Sequence, residues 1–528
     1  MTKLSDIPSD LSVDGHSRRL FLQQTSAVTA GVLAGMILPG SVLASLAPKT
    51  PQRGGHLILG IDNASSSDRI DPAFYFEQYM YHIGRQLFNT LTELDDDGSL
   101  KPGLAVEWTP RQQGAQWLFT LRDGVTFHNG KTLAAADVVY SLNHHRKEDS
   151  QSAVRGYMSQ VTGIEAVDNK QVVITLHSPN VDFPFLLAEV NFAITAAGED
   201  FDKGIGTGPY VLERFEPGVR TLTSRNKDYW KSDRAFVDSV ETLAFNDSAA
   251  RVAALLSGAV HFINRVPHGV VSRLETARSV QVHRNPGSFQ VTFPGLADRE
   301  PFSNPDVRLA LKYALDREQL LKSLVNGYGE VANDSPIFPT NRYFTRDLPQ
   351  HAYDPDKALF HWKKSGHSKE IVLSAAEGAS FDGAVSAAEI YRQSAIKAGI
   401  PFRVNRVPAD GYWSEVWRNH AFCASGWSNR PTADAYLSMV NLSDAPWNES
   451  RWQSSALDQL IIAARSELDE ERRRQIYHDI QLLYNQEGST VVPLYIDSVS
   501  GSAANVQGHF NVPGEVATRV VERLWLEA

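Results

Sequence analysis

From Gly55 onward the chain alternates strand-like and helix-like stretches, with no internal repeat, low-complexity run or long flexible linker between them. Unbroken alternation of this kind belongs to the α/β class. It also constrains the domain layout. At roughly 150 residues per domain, 528 residues predict about three domains. With no linker to string them on, these domains are expected to be interleaved. The patterns predict strands at Gly55–Ile61, Trp117–Leu121, Val172–Leu176, Tyr210–Leu212, Ile371–Leu373 and Val491–Ile496. They predict helices over Tyr79–Leu91, Ala134–His145, Pro305–Leu324, Ala384–Ala398 and Leu457–Gln486, the last carrying a solvated turn at Asp469–Arg474.

Ahead of this body stands a segment that reads as an address. Ser17-Arg18-Arg19-Leu20-Phe21-Leu22 is a twin-arginine pair followed by apolar residues, and a weakly polar stretch runs from Ala27 to Leu38. Pro39-Gly40 and Val42-Leu43-Ala44 then supply a helix break and small residues, the order of an export signal cut after Ala44. A membrane anchor needs about 20 apolar residues, and Pro39-Gly40 interrupts this run too early. Residues 45–54 read as a linker. Loss of residues 1–44 removes Lys3, Arg18 and Arg19 together with Asp6, Asp10 and Asp14, so the formal net charge of −10 is unchanged. That acidic balance argues against a general nucleic-acid binder, which needs a basic face to displace counterions. Cys423 is the lone cysteine, so neither an intramolecular disulfide nor a multi-cysteine metal site can form.

Several motifs promise chemistry and fall short. Gly124-Val-Thr-Phe-His-Asn-Gly130-Lys131-Thr132 resembles a phosphate-cradling loop, but it has five residues between its glycines where the wrap needs four. Gly204-Ile-Gly206-Thr-Gly208-Pro209 has a proline where a dinucleotide fingerprint needs its last glycine, and reads as a structural turn. Neither a nucleophile elbow nor a paired-histidine zinc motif is present. His420 and Cys423 are too few for structural zinc, and His144-His145 reads as surface.

The segment Trp427 to Asp434 is richer. Trp427, Ser428, Asn429, Arg430, Thr432 and Asp434 combine an aromatic wall, an amide, hydroxyls, a guanidinium fork and a carboxylate within eight residues. Residue types alone fit a ligand site and a self-braced loop equally.

Several segments together resemble the extracellular solute-binding proteins of ABC transporters, in the family that takes up dipeptides, oligopeptides and nickel. Pro102-Gly-Leu-Ala105 to Trp108 opens the series, followed by Trp117-x-Phe119-x-Leu121-Arg122-x-Gly124-Val125-x-Phe127-His128-Asn129-Gly130 and Ala136-Asp137-Val138-Val139-Tyr140-Ser141. Gly206-Thr-Gly208-Pro209-Tyr210, Asn226-x-x-Tyr229-Trp230, Pro301-Phe302-x-x-Pro305-x-Val307-Arg308 and Ala314-Leu-Asp316-Arg317 follow in family order. Glu471-Arg472 through Val492-Pro493-Leu494-Tyr495 closes the series. Each is weak alone; the ordered set is specific.

The resemblance implies a two-lobed periplasmic-binding-protein type II fold with ligand enclosed between the lobes. Lobe I would hold 55–290, with an inserted subdomain at about 98–200, and would take back 495–528; lobe II would hold 291–494. It implies a non-enzymatic periplasmic receptor without cofactor or metal. Its partners would be a small polar solute, an inner-membrane ABC permease and, from the signal, the twin-arginine export machinery. A monomer is expected. The ligand expected first is a short peptide; an anionic amino-acid conjugate, opine, oligosaccharide or sugar phosphate is the alternative, and a secreted hydrolase the competing class. The resemblance tilts Trp427–Asp434 toward ligand binding. Relatives often carry an aspartate where this chain has Thr432, so Arg430 is expected to meet an anionic group and Asp434 an amine or hydroxyl. Tyr75 is a candidate aromatic wall from lobe I, with core packing an equal alternative.

Overall fold

The computed structural model describes residues 50–510 and 519–527. The expected export signal, 1–44, lies outside the described residues, as do 45–49 of the expected linker. The rest of that linker is tied down: Arg53 donates to the Ser232 carbonyl at 2.7 Å and Gly54 N–H to the Phe236 carbonyl at 2.9 Å.

The frame is a nine-stranded mixed sheet. Its N-terminal strand, His56–Ile61, buries Leu57, Leu59 and Ile61 on alternate positions and pairs in parallel with Ser239–Ala244 and Phe262–Ile263. Beyond Ser239–Ala244 lie the antiparallel strands Arg220–Arg225 and Tyr210–Glu216. On the other side the long strand Thr490–Ala503 pairs with Phe262–Ile263 and Gly329–Val331, then with the similarly long Val280–Pro294. Ser425–Ser428 forms the edge next to Val280–Pro294. The last long strand in the chain therefore lies in the middle of the sheet.

The two long strands pass through different apolar cores. Val280 and Val499 pack with Leu255, Val260 and Leu274, whereas Val291, Phe293, Val491 and Leu494 pack with Leu311, Leu373 and Tyr391. Between these cores the register slips, from Asn285 opposite Ser498 to Phe289 opposite Ile496. Gly287 takes φ 57° there, where an irregular pair bends more readily than a regular ladder. A separate four-stranded antiparallel sheet, Ala105–Arg111, Gln116–Leu121, Gln171–Leu176 and Val161–Ala166, buries Trp117, Phe119, Val172 and Ile174 with Val138 of the helix Ala135–His144.

Two expected helices are each broken in two. Pro305–Ala314 and Arg317–Val325 are separated by Leu315 in extended geometry, because Asp316 accepts from Gln319 N–H at 2.9 Å and starts a new helix. Ser455–Ser466 and Glu470–Glu487 are separated the same way, with Asp469 accepting from Arg472 N–H at 2.9 Å. The charge run is thus a helix N-terminus, solvated as expected except at Arg473, which is buried.

The two glycine-rich decoys touch each other. His128 N–H donates to the Gly206 carbonyl at 2.9 Å, and His128 Nε2 lies 3.2 Å from the Gly208 carbonyl. Lys131, the residue that would reach for phosphate, instead holds Asp137 at 2.5 Å. A Cβ at Gly206 would lie 2.1 Å from the Leu87 carbonyl oxygen, and one at Gly208 2.4 Å from the Leu87 carbonyl carbon. These glycines are there for close approach. His144 and His145 are not surface residues either: His144 Nε2 is 2.9 Å from Asp71 Oδ2, and His145 is fully buried with Nδ1 2.7 Å from Ser152 Oγ.

Candidate functional site

The edge strand Ser425–Ser428 delivers the candidate segment. Gly426 is required in it, since a Cβ there would lie 2.3 Å from the Phe289 ring on the neighbouring strand. Trp427 is buried, stacked on Trp447 at 5.8 Å and edge-on to Tyr436 at 6.0 Å, with Trp417 at 6.2 Å. Trp447 and Trp413 complete this tryptophan cluster and are both exposed. The buried Glu449 supports it, accepting from Ser425 Oγ at 2.8 Å, Thr292 Oγ1 at 3.0 Å and Trp417 Nε1 at 3.1 Å. Burial raises the Glu449 pKa against these donors, which favour its carboxylate.

Past Trp427 the chain leaves the sheet. Ser428 is exposed. Asn429 is a bracket: its N–H donates to the Ser288 carbonyl at 3.0 Å, its Nδ2 to Thr340 Oγ1 at 2.9 Å, and its Oδ1 accepts from Arg430 N–H at 2.8 Å. Thr432 caps the helix Ala433–Val440, accepting from Ala435 N–H at 3.0 Å. Asp434 is buried in the first turn of that helix, where its Oδ1 accepts from Arg465 Nε at 3.0 Å and Ser438 Oγ at 3.1 Å. Burial raises its pKa, and Arg465 opposes the rise.

Arg430 is different. Its guanidinium makes no hydrogen bond or ion pair among the described residues, and its Nε is buried without a partner. Burial raises the hydroxyl pKa of Tyr81 and Tyr157, and the Arg430 charge pulls both back down while Glu189 pushes them up. Arg430 therefore lies within electrostatic reach of two phenols from distant parts of the chain. Residue types gave no signal for Tyr81 or Tyr157, since neither sits in a motif and each is placed by the tertiary fold.

The structure brings Trp427, Ser428, Asn429 and Arg430 together as one stretch and turns Thr432 and Asp434 toward their own helix. Tyr75 is corrected. It is fully buried, donates its hydroxyl to the Ile70 carbonyl at 2.6 Å, and lies so close to the helix Gln78–Leu87 that a Cβ at Gly84 would meet its ring at 2.5 Å. The aromatic that this segment exposes is Phe76, at 56%. His420 Nδ1 lies 2.9 Å from Ser374 Oγ, and Cys423 is buried with its thiol pKa pushed up to about 12 by burial.

The family model described as "Bacterial extracellular solute-binding proteins, family 5 Middle" matches residues 99–448. The glutathione-binding protein GsiB of Salmonella paratyphi A is 25% identical over 468 residues, covering 85% of this chain and 91% of that protein. The solved periplasmic binding protein DppA of Helicobacter pylori, in complex with the peptide STSA, superposes with a TM-score of 0.74 at 22% identity, covering 90% of this chain and 99% of that one. The binding protein AgaA of A. tumefacien R10, in complex with agropinic acid, gives the same TM-score and identity with the same coverage. The likeness to these structures shows a two-lobed binding-protein fold. Among the described residues no helix is long and apolar enough to cross a membrane.

Proposed function

The chain belongs to the bacterial extracellular solute-binding proteins, family 5, and from that membership we propose that it is the periplasmic receptor of an ABC importer. It captures a small polar solute between two lobes and hands it to an inner-membrane permease. The comparisons match this reading and not a secreted hydrolase. Ligand that touches both lobes favours the closed form by its differential affinity for it. Export through residues 1–44 by the twin-arginine route and a monomeric state belong to the same proposal. So do the lobe boundaries 55–290, 291–494 and 495–528; the slip between Asn285 and Phe289, where the long strands pass between two cores, supports them.

The observation that carries the reading at the site is Arg430, a guanidinium unpaired among the described residues at the exit of an edge strand in a family of binding proteins. An edge strand offers backbone groups to an extended peptide, and Arg430 offers a fork to its carboxylate. A short peptide is therefore the first ligand class, with Ser428 and Arg430 in contact and Trp427 as the apolar wall. A second class, an anionic amino-acid conjugate, opine or sugar phosphate, is favoured because Asp434 is already occupied by Arg465 and Thr432 by its helix. No acid in the segment then remains free to hold an amino group.

A thermal-shift screen of residues 45–528, refolded from denaturant to strip carried-over ligand, tests the reading. The panel holds di- to pentapeptides, glutathione, opines, sugar phosphates, oligosaccharides and nickel. A ligand at 100 times its dissociation constant adds about 2.7 kcal/mol, a shift of several degrees. A peptide hit supports the first class and a hit confined to anionic conjugates supports the second. A protein that turns over a panel compound refutes the receptor reading.

A further inference from the structure

We propose that Asp182 and Arg473 form a latch across the ligand cleft, one that fixes the closed arrangement and sets the helix that follows Arg430. The proposal rests on the two-lobed reading and adds a ligand-independent component to closure.

Asp182 stands at the head of the short helix Phe183–Leu186, whose Phe183 and Leu186 pack into the core beneath the four-stranded sheet. Arg473 belongs to the helix Glu470–Glu487, whose Tyr477 packs with Tyr436 and Tyr495 in another core. The two residues nevertheless meet as a bidentate pair. Arg473 Nη2 donates to Asp182 Oδ2 at 2.5 Å and Nη1 to Oδ1 at 2.9 Å, with both side chains 3% exposed. Arg342 adds a third contact, Nη2 to Oδ1 at 3.4 Å, while its guanidinium lies 4.8 Å from the centroid of the Phe185 ring.

Each half is aimed by its own side. Arg473 Nε donates to the Ala464 carbonyl at 2.8 Å and Nη1 to the Tyr343 hydroxyl oxygen at 3.0 Å. Asp182 N–H donates to Asn180 Oδ1 at 2.9 Å. A buried pair of this quality adds little net energy, because attraction is offset by the loss of two hydration shells, but it is specific in geometry. When the faces separate, both charges regain water. When only one partner is present, closure strands a dry charge.

The latch also reaches the candidate site. Val181 N–H donates to the Arg465 carbonyl at 3.0 Å, and the Arg465 side chain holds Asp434 in the first turn of the helix Ala433–Val440. Ala435 of that helix packs into the core that holds Phe183. The same closure that seats Asp182 therefore fixes the helix on which Arg430 depends.

The test needs no ligand. Nitroxide labels at Glu165→Cys and Gln475→Cys, both exposed positions on opposite sides of the pair, report the separation by pulsed electron resonance in refolded residues 45–528. Cys423 takes no label, being buried with a raised thiol pKa. The ligand-free protein should show a population at the closed distance. Asp182→Ala should lower the closed-to-open ratio about tenfold or more, and Asp182→Ala with Arg473→Ala should recover part of it because no charge is left stranded. Should Asp182→Ala fail to fold, Asp182→Asn enters the same assay. A distribution unmoved by loss of Asp182, or single and double variants shifted equally, overturns the latch. Neither result bears on whether a solute binds, which the thermal-shift screen decides separately.

Discussion

Arg430 precedes the short helix Ala433–Val440 and Arg465 packs on its first turn, but only Arg465 has a carboxylate to hold. Their substitutions should therefore part company. Arg430→Ala should weaken binding of an anionic ligand by about tenfold or more, the loss of a charge-assisted contact of about 1.5–3 kcal/mol, and leave the melting temperature nearly unchanged. Titration calorimetry with the screen's anionic hit, alongside a melt, checks both halves. Arg465→Ala should cost about 2–3 kcal/mol in a urea titration, less than for a fully buried pair because Arg465 keeps some water. An Arg430 variant that melts early but binds normally would make that residue a brace. At this scale the sequence was half legible. Trp427 and Arg430 stand out by type, and among the described residues the fold leaves the Arg430 guanidinium unpaired. The same types left Asp434 and Tyr75 open, because whether a carboxylate or phenol is already engaged depends on the folded neighbours, here Arg465 and the Ile70 carbonyl.

Among the elements, alternation and periodicity placed each expected strand and helix on a real one but passed over many others, and the breaks at Leu315 and near Asp469 escaped. Both are made by an aspartate cap inside an otherwise helical apolar pattern, and the pattern dominates the reading. Thr432 is a cap of the same kind. Thr432→Ala should cost about 1 kcal/mol in chemical denaturation, and Thr432→Asp, which also caps, should hold stability while placing an acid near the ligand. The glycine-rich turn was rightly expected to be structural, but for a reason no local pattern supplies. Gly208→Ala should strongly destabilise the protein or prevent folding, since its methyl would collide with Leu87 backbone rather than with a movable side chain. Circular dichroism of the purified variant checks this directly.

For the whole molecule, ordered landmarks along the chain were enough to read two lobes. Contacts between distant surfaces, such as Asp182 with Arg473, were not readable, because a charge run looks solvated until its partner is known. Acid response is also a property of the whole. His283 and His509 are half-buried and stack at 3.6 Å, and His82 is fully buried; loss of hydration lowers their pKa values from 6.5 to about 4, about 3 and about 3. Below pH 6.5 the unfolded chain binds protons that these rings refuse, so stability should fall as pH drops from 6.5 toward 4. Urea midpoints across that window should show the decline, and His509→Asn should flatten it. The central position of Thr490–Ala503 has a further, kinetic consequence. Until the ribosome has released this strand, Val280–Pro294 and Phe262–Ile263 each lack the neighbour they share. A nascent chain would carry two open sheet edges until this strand arrives, so the long sheet closes only after the four-stranded sheet has all its strands.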